Sequence, residues 1–352
     1  MSIILIILDG VSEENIKFLE NKTPLEYADT KTINTIKNEG FHFRTKFHEK
    51  DLSPNSLNCI LKILGVKRKN IPKHRAFLEA LSSDIPLSRN EVVFRCNLIS
   101  LKNNLLQSFN GEGIEIEDKK IKSEKLTVPE GIRFYHLGNY KNLLVMDFPG
   151  ENFKLKDFIP HERIGDSLKE YMEEISNIPL LKTFVDSNSF DFNGRKYLYL
   201  PWGPSLSIEL PSFESLHNKT CFSVSHAKIV QGISKAMNIE TAVLKKSTGD
   251  IDTDLREKLK SVLNNKENKD VIVAHINGTD EVSHRKNIKE KINFIEKIDE
   301  DFIKPIYTKL KSDDRIIILS DHQTSSITGK HEEGYVDVIT NKKYINKNNL
   351  FI

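Results

Sequence analysis

The chain has 352 residues, of which 29% are charged and 38% hydrophobic, and its formal net charge is only +2. This length exceeds the usual single-domain range, so two domains with well-buried cores are expected. Lysine and glutamate are scattered along the chain, which argues against a nucleic-acid-binding stripe or a membrane patch. Three cysteines without metal-site spacing predict a reduced, cytoplasmic protein, and no apolar run reaches the ~20 residues that span a membrane.

The first predicted strand ends in an acidic residue. Residues 3–8 form a continuous apolar run that is too short for a signal peptide and leads directly into Asp9 and Gly10. A lone Asp-Gly pair is typical of a turn, so by itself Asp9 predicts only a cap. Its significance depends on whether other strands end in the same way.

A serine at a helix start is the next candidate. Residues 30–40 predict a helix, and residues 53–65 predict a loop that opens a second, apolar helix. Ser56 near the start of that helix would have backbone N–H groups and the positive helix end beside it, which suits phosphate binding. The same position is equally typical of an N-cap serine.

The middle of the chain differs in character from what precedes it. A new run of strands begins in residues 90–97, and polar hairpin material, further strands and a helix follow in residues 103–130, 133–148 and 164–176. This pattern predicts a separate α+β domain, residues 89–190, inserted between two parts of a core, residues 1–88 and 191–352.

The second part of the core is predicted to resume a mostly parallel α/β sheet flanked by helices. Residues 196–202 are expected to be a strand of the original sheet, and strand and helix patterns then alternate. Residues 270–276 predict a buried strand, which Asp280 and His284 follow. An Asp and a His four residues apart share one face of a helical turn and can reach one ion, although a single such pair is more often a hydrogen-bonded pair at a helix start.

The strand predicted at residues 316–319 ends in the densest group of polar side chains. Asp321 and His322 come directly after it, and a loop containing Gly329 leads back to His331. In open α/β sheets, ligands bind at the carboxyl ends of the strands. We therefore expect these three side chains to lie at a binding site.

Taken together, the strand ends supply carboxylates and imidazoles but no thiolate. The candidate ligands are Asp9, Asp280, His284, Asp321, His322 and His331. This chemistry suits Zn²⁺ or Mn²⁺ better than Ca²⁺, and the ligands are too numerous for one tetrahedral ion. The sequence therefore predicts two divalent ions close together, with Ser56 as the nucleophile that one of them activates.

The same residues carry a family resemblance that runs along nearly the whole chain. The supporting stretches are residues 8–10, 22–30, 54–58, 77–80, 93–97, 211–213, 231–233, 247–253, 280–284 and 320–322. In this order and spacing, they resemble the alkaline phosphatase superfamily and, more narrowly, the archaeal-type cofactor-independent phosphoglycerate mutases. The resemblance implies an alkaline-phosphatase-like fold whose inserted domain closes over the substrate.

The resemblance also implies roles for individual residues. Asp9, Ser56, Asp321 and His322 resemble the ligands of one metal, and Asp280, His284 and His331 resemble those of the other. Mn²⁺ is the metal expected, with Zn²⁺, Co²⁺ or Mg²⁺ as alternatives. Ser56 is similar to the serine that accepts the phosphoryl group and returns it to the other hydroxyl of glycerate, so the expected reaction interconverts 2- and 3-phosphoglycerate in glycolysis and gluconeogenesis.

Departures from the family pattern fall on substrate binding. Leu57 and Asn58 stand where the family usually has Asp-Thr, and Ile159 stands where it has an acid, for which Asp157 is the candidate substitute. The turn at residues 203–210 lacks the family's lysine. The predicted substrate-binding residues are Arg95, Lys141, Arg75, Asp157 and His161, of which Arg95, inside an apolar strand, is the strongest.

These departures leave two other functions open. A phosphatase or phosphodiesterase would keep the metals with a different phosphate ester, and a degenerate paralogue would only bind or regulate. The intact set of ligands argues against the paralogue, because buried polar residues are costly to keep. His275, inside a strand, is predicted to be a core histidine bonded to backbone.

Overall fold

The chain folds into two compact units. The computed structural model describes residues 1–49, 51–111, 126–138, 140–150, 153, 155–156, 158–347 and 349–351. The core unit comprises Met1–Ile71 and Glu209–Ile352, and the inserted unit comprises Pro72–Ile208. An insertion between two parts of one core is thus the arrangement observed, although the inserted unit is wider at both ends than residues 89–190.

The described residues form the following strands and helices. The strands are β1 Ile3–Leu8, β2 Phe41–Thr45, β3 Glu91–Lys102, β4 Leu105–Ser108, β5 Ile132–Gly138, β6 Lys141–Asp147, β7 Phe190–Phe192, β8 Arg195–Leu206, β9 Cys221–Val224, β10 Glu240–Thr241, β11 Val271–Ile276, β12 Arg315–Leu319, β13 Gln323–Thr324, β14 His331–Glu332 and β15 Val336–Thr340. The α-helices are α1 Pro24–Tyr27, α2 Lys31–Glu39, α3 Ser56–Ile63, α4 Ala76–Ser82, α5 Lys169–Ser176, α6 Pro179–Ser187, α7 Phe213–His217, α8 Lys228–Ala236, α9 Leu255–Asn265, α10 Gly278–His284, α11 Ile288–Ile298 and α12 Lys304–Thr308. A π-helical segment, Asp299–Ile303, joins α11 to α12.

The core unit is built on a seven-stranded sheet of order β10-β9-β11-β1-β12-β15-β2. Strand β1 lies at its centre and pairs in parallel with β11 on one side and β12 on the other. Every residue of β1 and β11 is buried, so both faces of the sheet are covered here, and alternate side chains of both strands pack in one cluster with helix residues such as Ile33 and Phe294. The mostly parallel sheet predicted from these apolar runs is confirmed, with β15 pairing antiparallel to β12 at one side.

The inserted unit has its own sheet and its own core. Its six-stranded sheet has the order β5-β6-β3-β8-β7, with β4 paired to β3. Helices α5 and α6 bury side chains such as Tyr171, Ile175 and Phe184 in a cluster with residues of this sheet. The predicted helix over residues 164–176 begins later, at Lys169, and part of the predicted hairpin over residues 103–130 lies outside the described residues.

One predicted strand belongs to the other unit. Residues 196–202 were expected in the core sheet, but they lie within β8, which pairs antiparallel with β3 from Val92 to Leu101. The assignment to the core sheet is wrong. The apolar pattern of a strand predicts that it is buried but does not show which sheet it joins. The pairing of two twelve-residue strands draws the end of the insertion to Ile208. None of the helices in the described residues has the length and apolar character needed to cross a bilayer.

A buried ion pair ties together the loop that follows β12. Glu13 and Lys291 are 3% and 0% exposed, and Lys291 Nζ lies 2.9 Å from Glu13 Oε2. Lys291 also donates to the Thr324 carbonyl at 2.9 Å, and Ser326 Oγ donates to Glu13 Oε2 at 2.8 Å. The pair therefore holds the backbone of this loop from two sides.

Removing one member of this pair is expected to destabilise the core unit strongly. Glu13→Ala leaves the Lys291 ammonium buried without its carboxylate, so the free energy of unfolding should fall by roughly 3–5 kcal/mol. Urea unfolding followed by circular dichroism measures the change. As a control, Glu300→Ala removes a surface partner of Lys304, both more than half exposed, and should cost less than about 1 kcal/mol.

The double variant Glu13→Leu with Lys291→Met separates charge burial from loss of packing. Because neither charge is left buried, it should recover more than half of the stability that Glu13→Ala loses. Equal losses in Glu13→Ala and Glu300→Ala would contradict the role given to the buried pair.

Candidate metal centre

Three adjacent parallel strands deliver the predicted ligands to one edge of the core sheet. Leu8 of β1 is in register with Ile276 of β11, and Ile7 with Leu319 of β12. The side chains that follow these ends are buried: Asp9 is 2% exposed, Asp280 8%, Asp321 1% and His322 1%. Parallel pairing thus brings together residues that lie more than three hundred positions apart in sequence.

Asp9, Asp321 and His322 form the first group of candidate ligands. One ligand atom from each lies within 4.8 Å of the others. His322 Nε2 is 3.2 Å from Asp9 Oδ1 and 3.4 Å from Asp321 Oδ2. The Gly10 N–H donates to Asp321 Oδ1 at 3.1 Å, which directs the other oxygen of Asp321 toward the group.

Asp280, His331 and again His322 form the second group. His331 Nε2 lies 3.4 Å from Asp280 Oδ1. His284, one helical turn after Asp280, places its Nε2 3.1 Å from Asp280 Oδ2, while its Nδ1 donates to the Gly329 carbonyl at 2.9 Å. That hydrogen bond leaves Nε2 as the ring nitrogen of His284 that could face a cation, although His284 is in neither group of ligand atoms.

Ser56 lies beside this pair of groups. It is the first residue of α3, and its hydroxyl is 3.3 Å from His322 Nε2. The N-cap is the preceding residue, Asn55, whose side chain accepts from the Asn58 N–H at 3.0 Å. Ser56 is therefore not needed as the cap of its helix, and its hydroxyl is directed at the candidate metal centre.

The donor atoms fit divalent cations. Asp9 Oδ1, Asp321 Oδ2 and His331 Nε2 are buried and have no hydrogen-bond partner among the described residues. Leaving such atoms without a partner is costly, and each is an oxygen or imidazole nitrogen of the type that Zn²⁺ and Mn²⁺ accept. These orphaned atoms support divalent metal binding at this edge of the sheet.

The electrostatics of the cluster point the same way. Burial, reinforced by the Asp9 carboxylate, raises the pKa of Asp321 to about 7. Although burial alone would lower it, the Asp321 and Asp9 carboxylates raise the pKa of His322 to about 10. Three carboxylates in one buried cluster thus require positive charge, which protons supply unless cations do.

Gly10 and Thr324 were not predicted as parts of the site. Gly10 has φ +59°, and a Cβ there would lie 2.4 Å from Thr324 Oγ1 and 2.6 Å from Asp280 Oδ1. Thr324 Oγ1 in turn donates to Asp280 Oδ1 at 2.6 Å. Only glycine fits this close approach, and the Asp-Gly pair after β1 was the one signal that could have indicated it.

The His275 ring was predicted to bond to backbone atoms, but it contacts two side chains instead. The ring is fully buried, with Nε2 3.1 Å from Asp9 Oδ2 and Nδ1 3.3 Å from Ser225 Oγ. A histidine in an apolar strand is indistinguishable in sequence from a core residue. Only the register between β11 and β1, which pairs it with Ile7, brings it to the candidate ligand.

The predicted substrate-binding residues lie in the inserted unit. Glu79 joins two of them, with Arg75 Nε 2.9 Å and Arg95 Nε 3.1 Å from its carboxylate oxygens. The Arg95 guanidinium also lies 4.4 Å from the centre of the Trp202 ring. Burial, together with Arg75, lowers the pKa of Arg95 to about 10, so it stays charged at neutral pH.

The other three predicted residues of this group differ in position. His161 is exposed, and its ring lies 5.9 Å from that of Phe109. Lys141 is exposed at the start of β6, with Nζ 5.6 Å from the Tyr140 ring. Asp157 lies outside the described residues.

Comparison with known proteins identifies the family of this fold and site. The family model described as the Metalloenzyme superfamily matches residues 1–351. The chain belongs to the Metalloenzyme superfamily. Membership agrees with the buried carboxylate and imidazole cluster, and it establishes a divalent-metal protein.

Three similar proteins from archaea have the same name. The chain is 24% identical to the 2,3-bisphosphoglycerate-independent phosphoglycerate mutase of Methanosarcina mazei, over 92% of this chain and 86% of that protein. It is 26% identical to the enzyme of that name from Metallosphaera sedula, over 92% of this chain and 84% of that protein. It is 27% identical to one from Saccharolobus islandicus, over 96% of this chain and 87% of that protein. The resemblance predicted from the motifs is confirmed.

Solved structures of similar proteins support the fold. A Pyrococcus horikoshii protein matches with a TM-score of 0.74 and 22% identity, covering 96% of this chain and 87% of that one. The cofactor-independent phosphoglycerate mutase of Thermoplasma acidophilum matches with a TM-score of 0.58 and 17% identity, covering 97% and 89%. Both likenesses cover nearly the whole chain and show that its fold occurs in solved structures.

Metal binding at His284 is expected to depend on pH. The hydrogen bond to Asp280 raises the pKa of His284 to about 9, and a metal must displace that proton to reach Nε2. The apparent affinity for Mn²⁺ should therefore rise with pH from 6.5 through about 9, and His322, whose pKa is about 10, extends the rise beyond that, with protons released on binding. Titration with Mn²⁺ in weakly buffered solution with an indicator dye measures both.

Two variants test the origin of this proton release. His284→Ala should release fewer protons, whereas His42→Ala, which removes a histidine paired with Asp337 outside the ligand groups, should behave like the wild type. Affinity independent of pH over this range would contradict the assignment of His284.

Proposed function

We propose that this chain is a metal-dependent phosphoglycerate mutase that interconverts 2- and 3-phosphoglycerate through a phosphoserine at Ser56. The observation that carries the proposal is the 3.3 Å approach of the Ser56 hydroxyl to His322 Nε2, because His322 belongs to both candidate ligand groups. The substrate class comes from the names of the relatives, which span most of this chain. A cytoplasmic location, expected from the sequence, is part of the same proposal.

The start of α3 favours phosphate at Ser56. Asn55 takes the Asn58 N–H through its side chain and the Cys59 N–H through its carbonyl. Among the described residues, this leaves the N–H groups of Ser56 and Leu57 at the positive end of the helix to interact with a bound anion. A phosphoryl group on Ser56 Oγ would lie next to them.

The metal ligands are proposed as the resemblance implies. Asp9, Ser56, Asp321 and His322 would hold one ion, and Asp280, His284 and His331 the other, with Mn²⁺ as the expected metal. When bound, such ions lower the pKa of a coordinated hydroxyl and offset the negative charge of the phosphoryl oxygens. The Gly10 N–H on Asp321 and the Thr324 hydroxyl on Asp280 orient the carboxylates for this task.

Transfer then takes place in two displacements at phosphorus. Ser56 Oγ loses its proton and forms a bond to phosphorus as the bond from phosphorus to the substrate oxygen breaks, and that leaving oxygen of glycerate gains a proton. In the second step, the other hydroxyl of the same glycerate attacks phosphoserine, loses its proton and frees Ser56 Oγ. Glycerate must be retained between the steps, since water in its place would hydrolyse phosphoserine.

The inserted unit is proposed to provide the cations that hold glycerate. Arg95 is the leading candidate, because it is nearly buried yet charged and Glu79 and Trp202 fix its orientation. Planar guanidinium groups suit carboxylate and phosphate oxygens. Arg75, Lys141 and His161 stay candidates for the same role, and Asp157 stays the candidate for the acid of the family's substrate site. Closure of the inserted unit over the substrate stays a prediction.

A phosphatase or phosphodiesterase is the second candidate function. Leu57, directly after the nucleophile, is only 5% exposed and apolar where the resemblance leads us to expect an acid. An apolar side chain there cannot accept a hydrogen bond from a substrate hydroxyl. Leu57 therefore favours a hydrolase that acts on a different phosphate ester as the alternative to the mutase.

Product analysis separates the two functions. Purified protein loaded with Mn²⁺ is incubated with 3-phosphoglycerate, and both 2-phosphoglycerate and free phosphate are followed. We expect 2-phosphoglycerate in large excess over phosphate, because glycerate recaptures the phosphoryl group. Chelator-treated protein is the control and should form neither product.

Other product patterns would decide against the mutase. Phosphate without 2-phosphoglycerate would support the hydrolase. Neither product from a sample shown to hold Mn²⁺ would exclude phosphoglycerate as the substrate.

Replacing the nucleophile provides a second test. Ser56→Ala should reduce turnover by at least a hundredfold, a barrier increase of about 2.7 kcal/mol, because no phosphoserine can form. Ser53→Ala changes an exposed serine in the same loop, whose carbonyl but not hydroxyl bonds Asn58, and should keep full activity. A Ser56→Ala variant that retains more than about a tenth of the activity, a change of only ~1.4 kcal/mol, would remove Ser56 from this role.

A further inference from the structure

We propose that His275 is a positioning residue that holds Asp9 Oδ2 and so turns Asp9 Oδ1 toward the metal centre. The proposal rests on the assignment of Asp9 as a metal ligand. It gives a function to a buried histidine that belongs to neither group of candidate ligands.

The two oxygens of Asp9 have different surroundings. His275 Nε2 lies 3.1 Å from Oδ2, and Asn277 Nδ2 lies 3.4 Å from the same oxygen. Oδ1 lies 3.2 Å from His322 Nε2 and has no hydrogen-bond partner among the described residues. The Asn277 amide donates to Oδ2 and the His275 ring nitrogen lies against the same oxygen, so Oδ1 is the oxygen that faces the ligand group.

The hydrogen on the His275 ring can be assigned from its neighbours. Ser225 Oγ accepts the Ala227 N–H at 3.1 Å and lies 3.3 Å from His275 Nδ1. The Asp9 carboxylate can only accept, so the neutral ring that faces it at 3.1 Å carries its hydrogen on Nε2, and Nδ1 then accepts from the Ser225 hydroxyl. The opposite tautomer would set the Nε2 lone pair against the Asp9 carboxylate.

The backbone of His275 is held as firmly as its ring. Lys258, which is 1% exposed, donates from Nζ to the His275 carbonyl at 3.0 Å. Burying an ammonium and a serine hydroxyl is costly, and both are placed here around one histidine. His275 therefore has little freedom to move away from Asp9.

Loss of this donor should weaken the metal centre. Without His275, Asp9 Oδ2 keeps only the longer contact to Asn277 Nδ2 at 3.4 Å. The carboxylate can then rotate more freely, so binding a cation must also fix its orientation. Residues that orient metal ligands from behind typically contribute about 10- to 100-fold to metal affinity. His275 is expected to contribute within this range.

Titration of full-length protein with Mn²⁺, following the paramagnetic resonance signal of the free ion, tests the proposal. His275→Leu should weaken Mn²⁺ binding about 10- to 100-fold. His275→Gln should stay within about threefold of the wild type, because its amide nitrogen reaches the position of Nε2 and can donate to Asp9. Rescue by glutamine is the result that a purely structural role would not produce.

Ser225→Ala provides a second, gentler variant. It removes the hydroxyl that contacts His275 Nδ1 and supports the ring orientation, and it should weaken Mn²⁺ binding several-fold. Ser223→Ala is its matched control, because Ser223 lies two residues earlier on the same chain segment and is equally buried, and it should bind as the wild type does. If His275→Leu fails to fold, as judged by circular dichroism, the glutamine and Ser225→Ala variants decide.

The outcomes distinguish this proposal from its premise. Wild-type affinity in a folded His275→Leu, or equal losses for leucine and glutamine, would overturn the positioning role while leaving the metal centre intact. If the wild type binds no Mn²⁺, or Asp9→Ala binds as tightly as the wild type, the assignment of Asp9 fails and the role of His275 fails with it.

Discussion

The core unit depends on a single electrostatic constraint: three carboxylates lie together where water cannot screen them. Asp9, Asp280 and Asp321 are each at most 8% exposed, so their mutual repulsion acts in a medium of low polarity. The His322 imidazole partly offsets this repulsion, because its Nε2 lies within 3.4 Å of carboxylate oxygens of both Asp9 and Asp321. A site of this kind is unfavourable by itself and becomes favourable when cations bind.

The sheet makes this concentration of charge possible. Parallel strands bring their carboxyl ends to one edge, and β1 lies between the two strands that carry the other ligands. The apolar runs of β1, β11 and β12 bury both faces of the sheet, which supports the polar edge with rigid, dry packing. Around the edge, Gly10, Thr324 and the Glu13–Lys291 pair fix the turns, so that ligand geometry follows from backbone geometry.

Much of this site could be predicted from sequence, because the signals were local. A buried apolar strand followed by an acid is visible in a few residues, and three such ends imply a shared edge. His275 and Thr324 could not be found in this way, since their roles arise from contacts across strands. The β8 strand was assigned to the wrong sheet for the same reason: its apolar pattern does not reveal that β3, about a hundred residues earlier, is its partner.

The central position of β1 also affects how the protein is made. β1 is synthesised well before its two neighbours, β11 and β12, which begin at residues 271 and 315. The inserted unit, by contrast, is one continuous segment that can complete its sheet early in synthesis. Until β11 and β12 have been synthesised, β1 lacks its partners in the sheet, and its six apolar residues present an exposed segment that chaperones can bind.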